Sequence, residues 1–229
     1  MKRYLSLLVF TLCFSLTGLT QNVWEKPETE EETSVETKKE KKERKKKEKE
    51  KKDKEKKPKE DPKYLLGAVP KVDGKVKWTM DVDVPGKTAQ EIYDIMFKYL
   101  TDLTKEENQL EGSAVSLVNK KDHIIVAKIR EWLVFKKQFL VFDRTKFIFT
   151  LVASCSDGHL NVSMERLSYR YEENNGKEKY VYKAEDWIAD DNAVNKKGTR
   201  LYKGSAKFRR KTIDRKDYLF KTIRDVVTR

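Results

Sequence analysis

Cysteine and histidine are scarce in this chain, with two of each among 229 residues. A zinc centre draws most of its ligands from those two residue types, and a nucleophilic triad needs a placed imidazole. So small a stock leaves little material for either. No serine sits in a G-x-S-x-G elbow, so the strand-to-helix nucleophile turn of the hydrolases is missing too. The longest apolar run, Tyr4 to Leu19, falls short of the roughly 20 residues that a bilayer core requires. Charge is plentiful: 51 Lys and Arg stand against 38 Asp and Glu, a formal net charge of +13 with a pI near 9.4.

The run at the front has the three zones of an export signal. Lys2 and Arg3 supply a positive start, Leu5 to Leu16 is almost uninterruptedly apolar, and Gly18-Leu19-Thr20 places small residues before a cut. Residues 1–20 are expected to leave, with Gln21 as the new N-terminus. The alternative is a retained membrane helix. Against it stand the short span and the acids from Glu25 onward, where a basic stop-transfer cluster would be needed. Cys13 lacks the small preceding residue that lipoprotein processing uses, because Leu12 occupies that place. If Cys13 departs, Cys155 is the remaining thiol and no intramolecular disulfide can form.

Residues 21–63 show no apolar periodicity. From Lys38 to Lys63, 16 basic residues alternate with 8 acids, a low-complexity composition that cannot bury enough surface to offset chain entropy. Pairs such as Glu40/Arg44 and Glu43/Lys47 favour a helix by a few tenths of a kcal/mol each. The Lys excess opposes it, and Pro58 and Pro62 end it. The segment reads as a solvated spacer. Its competitor is a tether in which Lys38–Lys59 holds anionic surfaces such as lipid headgroups or acidic glycans.

Beyond the spacer, residues 64–229 read as one domain. Val76, Trp78, Met80, Val82 and Val84 alternate with polar residues, which predicts a half-buried strand. Thr88 and Glu91 form a capping-box pattern ahead of Ile92, Ile95, Met96, Tyr99, Leu100 and Leu103, spaced for a helix of about four turns. Strands follow at Ser113–Asn119, at His123–Ile129 with an extension toward Phe135, and at Phe147–Cys155. A turn at Ser156-Asp157-Gly158 then returns the chain through Leu160, Val162 and Met164. The apolar phase slips by one to Leu167, Tyr169 and Tyr171, which predicts a bulge near Glu165-Arg166. Lys179–Lys183 makes a short strand, Ala184 to Val194 a helix ended by Gly198, and Asp214 caps a last helix carrying Leu219, Phe220, Ile223, Val226 and Val227. The order strand, helix, several strands, helix gives an α+β fold: a single antiparallel sheet with helices on one face.

The stretches KWTMDVDVPGKTAQEIYD, SDGHLNVSMERLSYRYEE, AEDWIADDNAVNKKG and KFRRKTIDRKDYLFKTIRDVV resemble a domain-of-unknown-function family. It comprises secreted proteins of Gram-negative anaerobes with a TATA-box-binding-protein-like (TBP-like) fold. The likeness runs from Val76 to Val227 and implies that fold. It brings no activity, ligand or site residue, and the long Lys/Glu spacer departs from the family's pattern.

Candidate sites are few. His123 and His159 lie at turns without a second ligand at metal spacing, and Cys155 shares an apolar strand face. Ser154, Ser156, Asp157 and His159 cluster without an elbow. Glu185-Asp186 and Asp190-Asp191 could serve a glycosidase pair or a calcium site, but no EF-hand glycine spacing accompanies them, and solvated helix charges explain them more simply. The best basic cluster is Lys207, Arg209, Arg210, Lys211, Arg215 and Lys216, a possible anion-binding patch or the polar face before a helix. No catalytic constellation, cofactor or metal is implied. The expected role is therefore a non-enzymatic binding or structural module of the cell envelope, periplasmic or associated with the outer membrane, whose partner is an envelope protein or glycan. The alternative is a basic nucleic-acid-binding protein, should the signal not be used; export would remove that client. Trp132 and Trp187 could stack on glycans, although aromatic residues usually serve the core. Export predicts that the chain recovered from cells starts near Gln21 and sediments with the envelope. A cytosolic chain with Met1 intact would overturn it.

Overall fold

The computed structural model describes residues 40–48, 60–138, 141–172 and 178–229. The chain divides into two compact units, Met1–Lys57 and Pro58–Arg229. In the first, residues 40–48 form an exposed α-helix, in keeping with the Glu-to-basic pairs at four-residue spacing there. The export signal lies outside the described residues. The second unit begins before Tyr64, where the sequence places the end of the spacer. Asp61 accepts a hydrogen bond from the Lys63 amide and starts a single 3-10 turn at Pro62–Tyr64, and this stretch is bound to the domain by side chains of the last helix.

Seven strands make one antiparallel sheet: β1 (Lys71–Val72), β2 (Lys75–Asp83), β3 (Ala114–Asn119), β4 (Ile124–Gln138), β5 (Val141–Ser156), β6 (His159–Glu172) and β7 (Glu178–Lys183). Their order is β1-β2-β6-β5-β4-β3, and β7 also pairs with β6. Thus β2 and β7 share one side of β6: β2 pairs along it as far as Lys77↔Glu165, and β7 takes over at Ser168↔Lys183. The predicted bulge falls between them. Arg166 has φ +57°, and the β5–β6 register shifts between Ile148 and Thr150.

Alternation sorts the sheet into two faces. One carries Trp78, Met80, Val82, Ile125, Ala127, Ile129, Phe147, Phe149, Leu151, Leu160, Val162 and Tyr169, all buried. Helix α1 (Ala89–Leu103) and the long α4 (Lys203–Val227) pack on that face and on each other. The capping box at the start of α1 is complete: Thr88 Oγ1 accepts from the Glu91 amide, and Glu91 accepts from the Thr88 amide. The α+β architecture expected from the sequence is the one observed.

Two elements differ from expectation. The predicted helix over Ala184–Val194 is broken into single turns, α2 (Ala184–Trp187) and α3 (Asp190–Ala193), because Ala189 is extended with ψ 159°. The Ile188 carbonyl is thereby turned to a side chain of α4. The last helix starts at Lys203 rather than beside Asp214, which lies in its interior and receives Lys63 Nζ and Tyr64 Oη. Its first half buries Ser205, Ala206, Phe208, Arg209, Thr212 and Ile213. Those positions have helical spacing, but three of them are hydroxyl or charged residues, so a hydrophobic pattern does not reveal the stripe.

The covered face also buries a charge. Glu131 is fully enclosed and takes two bonds from Arg215, Nε to Oε1 at 2.8 Å and Nη2 to Oε2 at 2.7 Å, while Gln109 Nε2 donates to Oε2 at 2.9 Å. The edge strand β3, by contrast, is uncharged and leaves Leu117 and Val118 exposed. Removing the carboxylate strands an Arg215 side chain that is 15% exposed. Glu131→Ala is expected to lower unfolding free energy by about 3 kcal/mol in urea titration. A loss under about 1 kcal/mol would show that solvent compensates the arginine.

Candidate functional site

The six basic residues singled out in the sequence all lie along α4. Five are committed to carboxylates of the domain itself. Lys207 Nζ meets Asp143 at 2.8 Å and the Tyr171 hydroxyl at 2.9 Å. Arg210 grips Glu60 through Nε and Nη2 at 2.7 and 2.5 Å. Arg215 holds Glu131, and Lys216 pairs with its neighbour Asp217. Arg209 is fully buried. Its Nε donates to the Tyr64 carbonyl at 2.6 Å, Nη1 to Ile188 O at 2.5 Å, and Nη2 to Leu65 O at 2.5 Å and Asp190 Oδ1 at 2.7 Å. Lys211 is exposed and makes no ion pair among the described residues. In one dimension the cluster reads as an anion site; around a helix it faces in several directions and closes the fold.

The acidic pairs have the reciprocal fate. Glu185 pairs with Lys75 at 2.7 Å and Asp191 with Lys71 at 2.6 Å, while Asp190 also accepts from the Gly67 amide. They latch the β1–β2 hairpin and the entering chain to α2 and α3. Cys155 is buried, and burial pushes its thiol up to about 12, so thiolate is scarce at neutral pH. His123 stands edge-on to Tyr93 with ring centroids 5.8 Å apart. Ser156 Oγ donates to the carbonyl of His159 rather than meeting its ring.

Opposite the helices, the second sheet face carries the even-numbered residues of β4 and β5. One row crosses Trp132, Lys146, Arg170 and Val181; the next crosses Arg130, Ile148, Ser168 and Lys183. Lys128 and Arg144 flank them on the same face. The Arg144 guanidinium lies 3.6 Å from the Trp132 ring centroid and Lys146 Nζ lies 5.8 Å from it. An indole bordered by cations is a surface that favours anions and planar or sugar faces. Lys128 and Arg130 make no ion pair among the described residues. No local sequence pattern groups these cations. The available signal was Trp132 itself, an aromatic residue on the polar phase of a strand whose other phase is Ile125, Ala127, Ile129 and Leu133.

The far end of the same face is acidic. Asp81 and Asp83 flank His159, with Nε2 3.2 Å from Asp81 Oδ1 and Nδ1 3.2 Å from Asp83 Oδ1; Asn161 donates to Asp81 at 2.8 Å. The open face is thus polarised along its strands, basic toward Trp132 and acidic toward His159. Bonds to Asp83 and Asp81 raise the His159 pKa above 6.5, while Asn161 and His159 lower that of Asp81.

A family model described as a domain of unknown function (DUF4468) with TBP-like fold matches residues 78–170. A crystal structure of a DUF4468 family protein from Bacteroides ovatus is similar at 35% identity, covering 74% of this chain and 96% of that one, with a TM-score of 0.68. A TBP-like protein from Parabacteroides distasonis is similar at 23% identity, covering 69% of this chain and 96% of that one, with a TM-score of 0.56. No curated protein matches.

The His159 clamp is testable by titration. A raised imidazole pKa means that the pairing stabilises the fold fully below the unfolded value near 6.5 and is lost as pH climbs through the folded value. NMR titration of the His159 ring is expected to give a pKa above 6.5 that falls in Asp83→Asn. An unshifted ring would show that the clamp does not persist in solution.

Proposed function

We propose, for a chain that belongs to the DUF4468 family with its TBP-like fold, a non-enzymatic binding role in the cell envelope, with the open sheet face as the binding surface. The observation that carries this reading is Trp132, with the Arg144 guanidinium on its ring and Lys146 nearby, beside Lys128 and Arg130 on the face opposite both long helices. The partner it suits is an anionic envelope component, an acidic glycan or an acidic patch of an envelope protein. Several cations spread over adjacent strands sum into a field that attracts a polyanion before contact. The indole adds a stacking contact worth roughly 0.5–2 kcal/mol. The leader-like residues 1–20 and the charged segment behind them support an extracytoplasmic site of action, with the Lys-rich stretch acting as a spacer.

The TBP-like label carries a fold and not a nucleic-acid ligand, because one fold hosts unrelated functions. The charge on the open face does not distinguish a glycan from a nucleic acid by itself, and export favours the glycan or protein.

Heparin serves as a probe polyanion for the full chain. Lys128→Glu with Arg130→Glu is expected to lower the salt concentration needed for elution from a heparin column, and Trp132→Ala to weaken retention further without changing net charge. Wild-type retention in both variants would remove the open face as the binding surface. Tighter binding to a DNA duplex than to heparin at equal salt would replace the envelope partner with a nucleic acid.

A further inference from the structure

Strand β2 is an edge of the sheet for most of its length. Strand β1 covers it at Lys75 and Val76, while β6 pairs with its other side from Lys77 to Asp83 in unbroken register. Two bonds fix which way its main chain points. The Lys77 amide donates to Pro70 O at 3.3 Å, away from β6, and the Val84 amide donates to Gly158 O at 2.8 Å, in the turn that leads into β6. Successive residues of an antiparallel strand turn their hydrogen-bonding groups to opposite sides. Trp78, Met80 and Val82 therefore bond to β6, and Thr79 and Asp81 turn their N–H and C=O outward. Among the described residues, no main-chain group meets them on that side.

These outward groups open onto a groove. A space of about 470 Å³ lies between this edge and the second half of α4, with Thr79, Met80, Asp81, Lys216, Phe220 and Arg224 among its walls. Small-ligand sites occupy about 300–1,000 Å³, so a few residues of extended chain fit. An uncovered edge is a template for another strand, and the charges beside it define which one. Lys216 pairs with Asp217, and Lys221 with Asp225. On the strand wall, the Asp81 carboxylate is engaged by Asn161 and His159. Arg224 is exposed and makes no ion pair among the described residues. The groove therefore offers an unmatched cation, with Phe220 one helical turn before it.

We propose that this groove binds an extended acidic peptide, which adds a strand to β2 and lies along α4. The main chain of Thr79 and Asp81 holds the peptide backbone, as in recognition by strand addition. Helix-facing side chains of such a strand recur at every second residue, roughly 6–7 Å apart. Phe220 and Arg224 are separated by one turn, about 5.4 Å along the helix. The matching segment therefore carries an apolar side chain two residues away from a carboxylate, the first against Phe220 and the second on Arg224. This inference does not rest on the open-face reading, because its recognition groups are the β2 edge, Phe220 and Arg224 rather than Trp132 and its neighbours.

The test is an NMR titration of the ¹⁵N-labelled full chain with end-blocked, Thr-rich heptapeptides in which Val, Leu or Phe stands two residues from Glu. Each has a copy with Lys in place of Glu, and two copies N-methylated on one or the other set of alternate amides. The Glu peptides are expected to shift the Thr79 and Asp81 amides and to bind at least about tenfold more tightly than the Lys copies, the size of one charge-assisted contact. One N-methylation pattern should abolish binding and the other retain it, because only one set of peptide amides faces β2. Arg224→Gln, an exposed helix position, should remove the preference for Glu. Lys128→Glu with Arg130→Glu should preserve it, separating this site from the open face. Absence of shifts at Thr79 and Asp81 with every Glu peptide, equal binding of Glu and Lys copies, equal effects of the two N-methylation patterns, or an unaltered preference in Arg224→Gln would each overturn the proposal. So would a dimer of the free protein that protects those two amides from hydrogen exchange, which would assign the edge to a second copy.

Discussion

The domain is closed by one buried guanidinium. Arg209 has no exposure, and all of its bonds go to groups that must otherwise be hydrated: the carbonyls of Tyr64, Leu65 and Ile188, and the Asp190 carboxylate. A planar fork with five donors can serve several acceptors at once, which a lysine cannot. Its presence explains the break between α2 and α3, since a continuous helix would commit the Ile188 carbonyl to the helix ladder. It also explains why the compact unit reaches back before Tyr64. The entering chain, the two short turns and the longest helix meet at this one side chain.

Around it, charge is divided by position. On the covered side four cations of α4, Lys207, Arg209, Arg210 and Arg215, are paired with Asp143, Asp190, Glu60 and Glu131. On the open side Lys128, Arg130, Arg144, Lys146 and Arg170 project from strands whose other phase is core. The same strands thus do two jobs, and neither requires residues from the helices. The acidic end at Asp81 and Asp83 prevents the face from being uniformly basic, which gives any anionic partner a direction along the strands.

How much of this could be read in advance depends on period and on polarity. The strand Val76–Val84, the capping box at Thr88 and the slip at Glu165-Arg166 were legible, because each is a local pattern that the backbone obeys. The start of α4 was not, since its buried stripe contains Ser205, Arg209 and Thr212, which pair with carbonyls, a carboxylate and Tyr169 rather than join an apolar core. The ion pairs of the six-residue basic cluster were hidden for a related reason: neighbours in sequence diverge by about 100° per residue around a helix, and their partners, Glu60, Glu131 and Asp143, are far away in the chain. The Trp132 surface was hidden by the opposite effect, because cations distant in sequence became neighbours only once three strands were in register.

The segment Glu60–Leu65 lies against α4 through Glu60–Arg210, Lys63–Asp214 and the two carbonyls held by Arg209. These contacts follow one another along the chain just where the Lys-rich segment enters. A mechanical pull delivered through that segment would therefore be borne first by Glu60, next by Lys63 and then by the arginine fork, before any strand of the sheet was loaded. The arrangement acts as a strain relief, dissipating force in renewable polar contacts while the hydrophobic layer stays at rest.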